Sequence, residues 1–154
     1  MSKVLVVEND APVREVLTFS LTKAGHEVLP AENGEQALAL VDEAEVVLLD
    51  LALPKISGDE FLRMVRGSGN YVPVVVMSGV YSKESVEKKL KDLEIVDFVP
   101  KPFSIKEIVE KVEKGAKFTR NVRELKRSTD RIEGFIARQA AAAAASPSPR
   151  AAHP

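Results

Sequence analysis

Four apolar runs in this chain each end in a residue that could do chemistry. Val46-Val47-Leu48-Leu49 leads into Asp50, and Val4-Leu5-Val6-Val7 into Glu8-Asn9-Asp10. The stretch Val72 to Met77 leads into Ser78, and Ile95 to Val99 into Pro100-Lys101. Short unbroken apolar runs fit strands buried on both faces. Polar groups just beyond the C-terminal ends of parallel strands stand where ligands bind in open sheets. Acidic oxygens gathered at one such point repel each other, and a divalent cation that prefers oxygen ligands, Mg²⁺, relieves the repulsion. Asp50 would then be a metal ligand with its second oxygen free to attack a phosphoryl group, forming an aspartyl phosphate. Lys101 and the metal would neutralise charge developing on the phosphoryl oxygens, and Ser78 would donate a hydrogen bond to one of them. The plainer readings are a salt bridge from Lys101 that closes the acidic cluster, and a strand-end cap for Ser78.

Those side chains need elements to bring them together. Pro12, with Asp10 or Ala11 before it, suits the first turn of a helix whose apolar positions are Val13, Val16, Leu17, Leu21 and Ala24; Gly25 stops it. His26 lies in the turn that follows, where most histidines are solvated, and it receives no role. Val28-Leu29 is a short strand. Asn33 and Gln36 have capping-box spacing ahead of Ala37, Leu38, Leu40 and Val41. Ser57 or Asp59 caps a helix carrying Phe61, Leu62, Met64 and Val65, and Ser82 opens one carrying Val86, Leu90 and Leu93. Ser104 and Glu107 form a second capping box before Ile105, Ile108, Val109 and Val112. Strand and helix thus alternate five times. This predicts an α/β fold with one five-stranded parallel sheet, helices on both faces, doubly wound in the flavodoxin-like manner, with right-handed crossovers. All strand C-termini then share one edge, and Glu8, Asn9, Asp10, Asp50, Ser78 and Lys101 share it with them.

Composition narrows the chemistry. The 154 residues include no cysteine, so disulfides, thiol nucleophiles and thiolate metal sites are excluded. Two histidines, His26 and His153, do not make a His-rich zinc site. The apolar run at the N-terminus is too short for a signal peptide or a membrane span, which reads as a cytoplasmic protein with no membrane partner. The net charge of −1 hides an acidic body and a basic tail: residues 1–114 carry −6 and residues 115–154 carry +5.

At KVLVVENDAPVREVL, LLDLALPKISG, VPVVVMSG and DFVPKPF, in that order, the chain resembles the receiver domain of two-component response regulators, of the chemotaxis (CheY-like) kind. The resemblance covers about residues 2–118. It implies that Asp50 is phosphorylated by a partner sensor histidine kinase or a small phosphodonor, and that Ser78 and Lys101 contact the phosphoryl group. It places Phe98 at the aromatic switch position, where ring rotation accompanies movement of Ser78. It matches Gly58 to the glycine of the loop after the phosphoacceptor, and the backbone carbonyl of Ala52 to a metal ligand beside Glu8, Asn9 and Asp50. One departure stands out. Asn9 falls where the family has an acid that ligates Mg²⁺ directly, so one negative charge is missing. Asp10 is expected as a helix cap rather than a replacement ligand. Residues Ala52 and Tyr81, near the path of attacking water, imply a long-lived phosphoform: Ala52 cannot orient water and Tyr81 is bulky.

Beyond the receiver-like part, residues 119–139 read as a helical extension. Phe118, Val122, Leu125, Thr129, Ile132 and Phe135/Ile136 follow the spacing of a short coiled-coil seam, weakened by Gly115 and Gly134. A solvated helix extending the last receiver helix is the competing reading. Residues 140–154 begin as a good helix former, Ala140 to Ala145, and end in SPSPRAAHP, which looks disordered. Basic charge permits nucleic-acid contact, but helix-turn-helix spacing and interleaved aromatics are missing, so nucleic acid is not expected. The partners expected are the kinase and a downstream protein or a second copy, a homodimer. A pseudo-receiver that binds proteins without phosphorylation rests on Asn9 alone. A haloacid-type phosphatase needs an acid two residues after the nucleophile and finds Ala52.

Overall fold

The computed structural model describes residues 2–145. Five strands, β1 (Lys3–Val7), β2 (Glu27–Ala31), β3 (Val46–Asp50), β4 (Val74–Ser78) and β5 (Asp97–Pro100), alternate with helices α1 (Ala11–Lys23), α2 (Gly34–Leu40), α3 (Gly58–Gly67), α4 (Lys83–Lys89) and α5 (Ile105–Ala145). The strands are all parallel and lie in the order β2-β1-β3-β4-β5. The order reverses between β1 and β3, and ligand sites of doubly wound sheets form at the carboxyl ends beside that reversal.

Alternation along each strand divides the core in two. Leu5, Val7, Val47, Leu49, Val74 and Val76 face Ala37 of α2, Phe61 and Leu62 of α3 and Val86 of α4. Val4, Val6, Val46, Leu48, Val75 and Met77 face Leu17 and Leu21 of α1 and Ile108, Val112 and Ala116 of α5. Strands covered on both sides have no polar face, which is why their sequences are unbroken apolar runs.

Most helix starts follow the expected caps. Asp10 accepts from the Val13 N–H at 3.4 Å, Asn33 from Gln36 at 2.8 Å, Ser57 from Glu60 at 3.3 Å and Ser82 from Ser85 at 3.2 Å. Gly25 follows α1 with φ +96°, a left-handed C′ residue. Two features differ from expectation. His26 is buried rather than solvated: its Nε2 lies 3.2 Å from Glu113 Oε2 of α5. β5 begins at Asp97 rather than Ile95, after Glu94 takes a left-handed conformation with φ +53°. α5 runs unbroken through Gly115; a Cβ there would stand 2.8 Å from Val46 Cγ2 and 3.3 Å from Pro73 Cβ, so the glycine lets the helix sit directly on the start of β3.

The described chain divides into two compact units after Thr119. Ala140 to Ala145 are helical, as expected, and the SPSPRAAHP segment lies outside the described residues. Among the described residues no helix is long and apolar enough to cross a membrane.

Candidate functional site

Three of the expected residues are in direct contact. Asp50 closes β3, is 4% exposed, and accepts from Lys101 Nζ at 3.0 Å through Oδ2. Its Oδ1 accepts from the Ala52 N–H at 3.0 Å. Glu8, one residue beyond β1 and 1% exposed, accepts from the same Lys101 Nζ at 2.5 Å. Lys101 reaches them from beyond β5, where its backbone N–H donates to the Ser78 carbonyl at 2.9 Å. One ammonium therefore bridges two carboxylates delivered by adjacent strands.

The electrostatics follow from that crowding. Burial pushes the Glu8 carboxyl up from its ordinary range, the neighbouring Asp50 carboxyl adds to the rise, and Lys101 opposes it. Burial alone would lower the Lys101 ammonium; its bonds to Glu8 and Asp50 outweigh that and hold it above its usual range. Lys101 is thus cationic and stands between the two carboxylates.

Ser78 closes β4 and is 3% exposed. Its Oγ accepts from the Tyr81 N–H at 3.0 Å and the Val80 N–H at 3.2 Å, which leaves the hydroxyl hydrogen free to donate elsewhere. Phe98 in β5 is 5% exposed and packs in the core beneath the α2–α4 face; its carbonyl accepts from Lys111 Nζ at 2.8 Å. Phe98 also lines an open cavity of about 330 Å³ with Tyr81, Pro100, Glu107 and Lys111. The Tyr81 ring faces Lys89, whose Nζ stands 4.7 Å from the ring centre.

Asn9 and Ala52 are exposed at the same edge. Asp10 caps α1 instead of joining the carboxylates, as its position suggested, though its N–H lies 3.4 Å from Glu8 Oε2. Among the described residues no three acidic or imidazole side chains converge as metal ligands. The third carboxylate is missing where Asn9 stands. What remains is the pair of carboxylates of Glu8 and Asp50, hard oxygen donors of the kind that Mg²⁺ takes.

One residue near the site was not anticipated. Arg14 on α1 donates from Nη1 to the Glu8 carbonyl at 2.7 Å and to the Asn9 carbonyl at 3.4 Å, tying the β1 end to the helix. A basic residue one turn into a helix that opens at the strand end is the only signal for it. Gly58, matched by resemblance, now has a physical reason: a Cβ there would lie 2.5 Å from the Asp50 carbonyl oxygen and 2.6 Å from Leu51 Cα. The start of α3 closes tightly on the Asp50 backbone, with the Gly58 N–H donating to Leu51 at 3.0 Å.

This chain is similar to known proteins. Residues 4–113 match the family model described as the response regulator receiver domain. The response regulator MprA of Mycobacterium tuberculosis is 33% identical over 111 residues, covering 70% of this chain and 47% of MprA. A protein of Salmonella typhimurium named as the probable transcriptional regulatory protein SilR is 35% identical over 114 residues, covering 71% of this chain and 49% of SilR. The chain thus spans about half the length of the curated relatives it matches. The Francisella response regulator 1452 receiver domain superposes with a TM-score of 0.72 at 28% identity, covering 77% of this chain and 99% of that one. With a relative named as a transcriptional regulator, the expectation against nucleic-acid contact is left without support. The match over residues 4–113, on a sheet of the expected order, establishes that this chain belongs to the response regulator receiver domain family.

Proposed function

We propose that the chain is a phosphorylation-operated switch in which Asp50 takes a phosphoryl group from the phosphohistidine of a sensor histidine kinase. The observation that carries this reading is the Asp50 carboxylate itself, buried at a strand end with one oxygen held by Ala52 and the other by Lys101. The carboxylate attacks phosphorus, an O–P bond forms, the N–P bond breaks, and its electron pair leaves with the imidazole. Lys101 moves from bridging two carboxylates to meeting the new phosphoryl oxygens, and the Ser78 hydroxyl donates to one of them. Glu8, Asp50, the Asn9 amide and the Ala52 carbonyl would hold Mg²⁺, which would further neutralise phosphoryl charge.

Output follows from what Ser78 already holds. Its Oγ anchors the Val80 and Tyr81 N–H groups, so a hydroxyl that turns to a phosphoryl oxygen loosens the start of the β4–α4 loop. Phe98 and Tyr81 share a cavity there, and movement of one changes the room left for the other. The altered face is read by a downstream protein or a second copy, in the cytoplasm. Asn9 favours one other reading, a receiver fold that binds partners without phosphorylation.

Intact mass after incubation with acetyl phosphate and Mg²⁺ tests the proposal, run on this chain and on Asp50→Asn. One adduct of about 80 Da on the first and none on the second is expected. No adduct, where a control receiver is labelled, favours the phosphorylation-independent reading. The phosphoform should be long-lived, because Ala52 offers no side chain to orient water; loss of the adduct within seconds contradicts that.

A further inference from the structure

We infer that the second unit, from Arg120 onward, pairs with the same segment of a second copy of this chain as a short parallel coiled coil. Along α5, Val122, Leu125, Thr129, Ile132 and Ile136 are spaced by three, four, three and four residues. That alternation gathers side chains into one seam that a partner helix can cover. The apolar members are exposed: Val122 by 47%, Leu125 by 68%, Ile132 by 60% and Ile136 by 59%, with Phe135 beside the seam at 56%. Together they leave on the order of 500 Å² of side-chain surface per helix, so a pair would cover about 1,000 Å², where specific interfaces begin. A row of this kind is more than the scattered exposed hydrophobes of an ordinary surface.

The area singles out a second copy as the occupant, and the charges agree with it. With Val122 and Thr129 at the first position of successive heptads, Arg123, Glu124, Arg127, Asp130 and Arg131 all fall away from the seam. Several satisfy one another on their own helix, Arg127 with Glu124 at 3.3 Å and Arg131 with Glu124 at 3.9 Å. At the flanks of a parallel pair Asn121 meets Lys126 and Ser128 meets Glu133, so no like charges face each other. Orientation follows from the apolar layers. Parallel helices set each apolar residue against its own counterpart. The antiparallel register that would join Lys126 to Glu133 places Val122 opposite Gln139, trading an aliphatic layer for exposed ion pairs of small worth. The pairing uses nothing of the phosphorylation chemistry, so it stands or falls apart from it.

Sedimentation equilibrium on the full chain, from about 1 to 200 μM, tests it in the range where an interface of this size associates. The mass should rise to that of two chains. Leu125→Asp with Ile132→Asp should stay monomeric with an unchanged receiver melting transition, whereas Arg127→Ala, on the far face, should still pair. The chain contains no cysteine, so Val122→Cys should cross-link to itself under mild oxidation. A monomer throughout the range, or a dimer that survives the double substitution, overturns the inference. So does a monomer that instead retards duplex DNA through the basic segment. Cross-linking only in a mixture of Val122→Cys and Gln139→Cys chains overturns the parallel arrangement.

Discussion

Glu8, Asp50 and Lys101 form a site in which the charge count matters as much as the geometry. An amide at position 9 coordinates more weakly than a carboxylate, because it brings a dipole where a full charge could stand. Asn9→Asp should therefore bind Mg²⁺ several-fold more tightly in a calorimetric titration; equal affinities would show that position 9 does not reach the metal. Gly58 makes a sharper case. Its missing Cβ is replaced by backbone atoms of Asp50 and Leu51 that have no rotamer to change. Gly58→Ala should cost about 2 kcal/mol or more in urea unfolding and slow phosphorylation of Asp50. The acid, hydroxyl and amine of the site were legible because each terminates an apolar run. Arg14 was not: its partners are backbone carbonyls, and a carbonyl leaves no mark in a sequence.

At the scale of elements, patterning of strands and caps carried most of the fold, and for the glycines of α5 packing adds what patterning cannot give. In a helix read alone, Gly115 and Gly134 look alike, each costing about 1 kcal/mol relative to alanine. Packing separates them. A Cβ at Gly115 meets the buried Val46 and Pro73, whereas at Gly134 it meets only the tip of the flexible Arg138 side chain, at 3.2 Å. The two alanine substitutions should have opposite signs. Gly115→Ala should lower stability by about 1 kcal/mol once propensity and overpacking are set against each other. Gly134→Ala should add helicity without loss of stability. Circular dichroism melts of both variants read the difference, and a stabilising Gly115→Ala would mean that α5 seats less tightly on β3 than described. Arg66 shows the same limit of sequence: its buried guanidinium joins the carbonyls of Asn70, Val72, Leu93 and Glu94, contacts up to 28 residues away that no local pattern announces.

The whole molecule draws on these contacts when it is acidified. Burial raises the Asp97 carboxyl, but the Phe98 N–H and the ammoniums of Lys111 and Lys114 outweigh burial and leave it below its ordinary range. The folded chain therefore gives up this proton more readily than the unfolded chain does. The resulting stabilisation is full above about pH 4 and fades as the pH falls through that range and below it. Asp97→Asn should cost about 1 kcal/mol at neutral pH and little at pH near 3, as read from urea midpoints at the two values. An equal loss at both would assign the effect to packing. The buried contact between His26 and Glu113 offers a different return. His153 is the only other histidine in the chain, so the imidazole Hε1 proton spectrum holds two signals, and one of them comes from the place where α5 meets the turn after α1. Phosphorylation that shifts the seat of α5 would move that resonance, which makes the spectrum of the unlabelled chain a direct gauge of whether the event at Asp50 is felt on that face of the sheet.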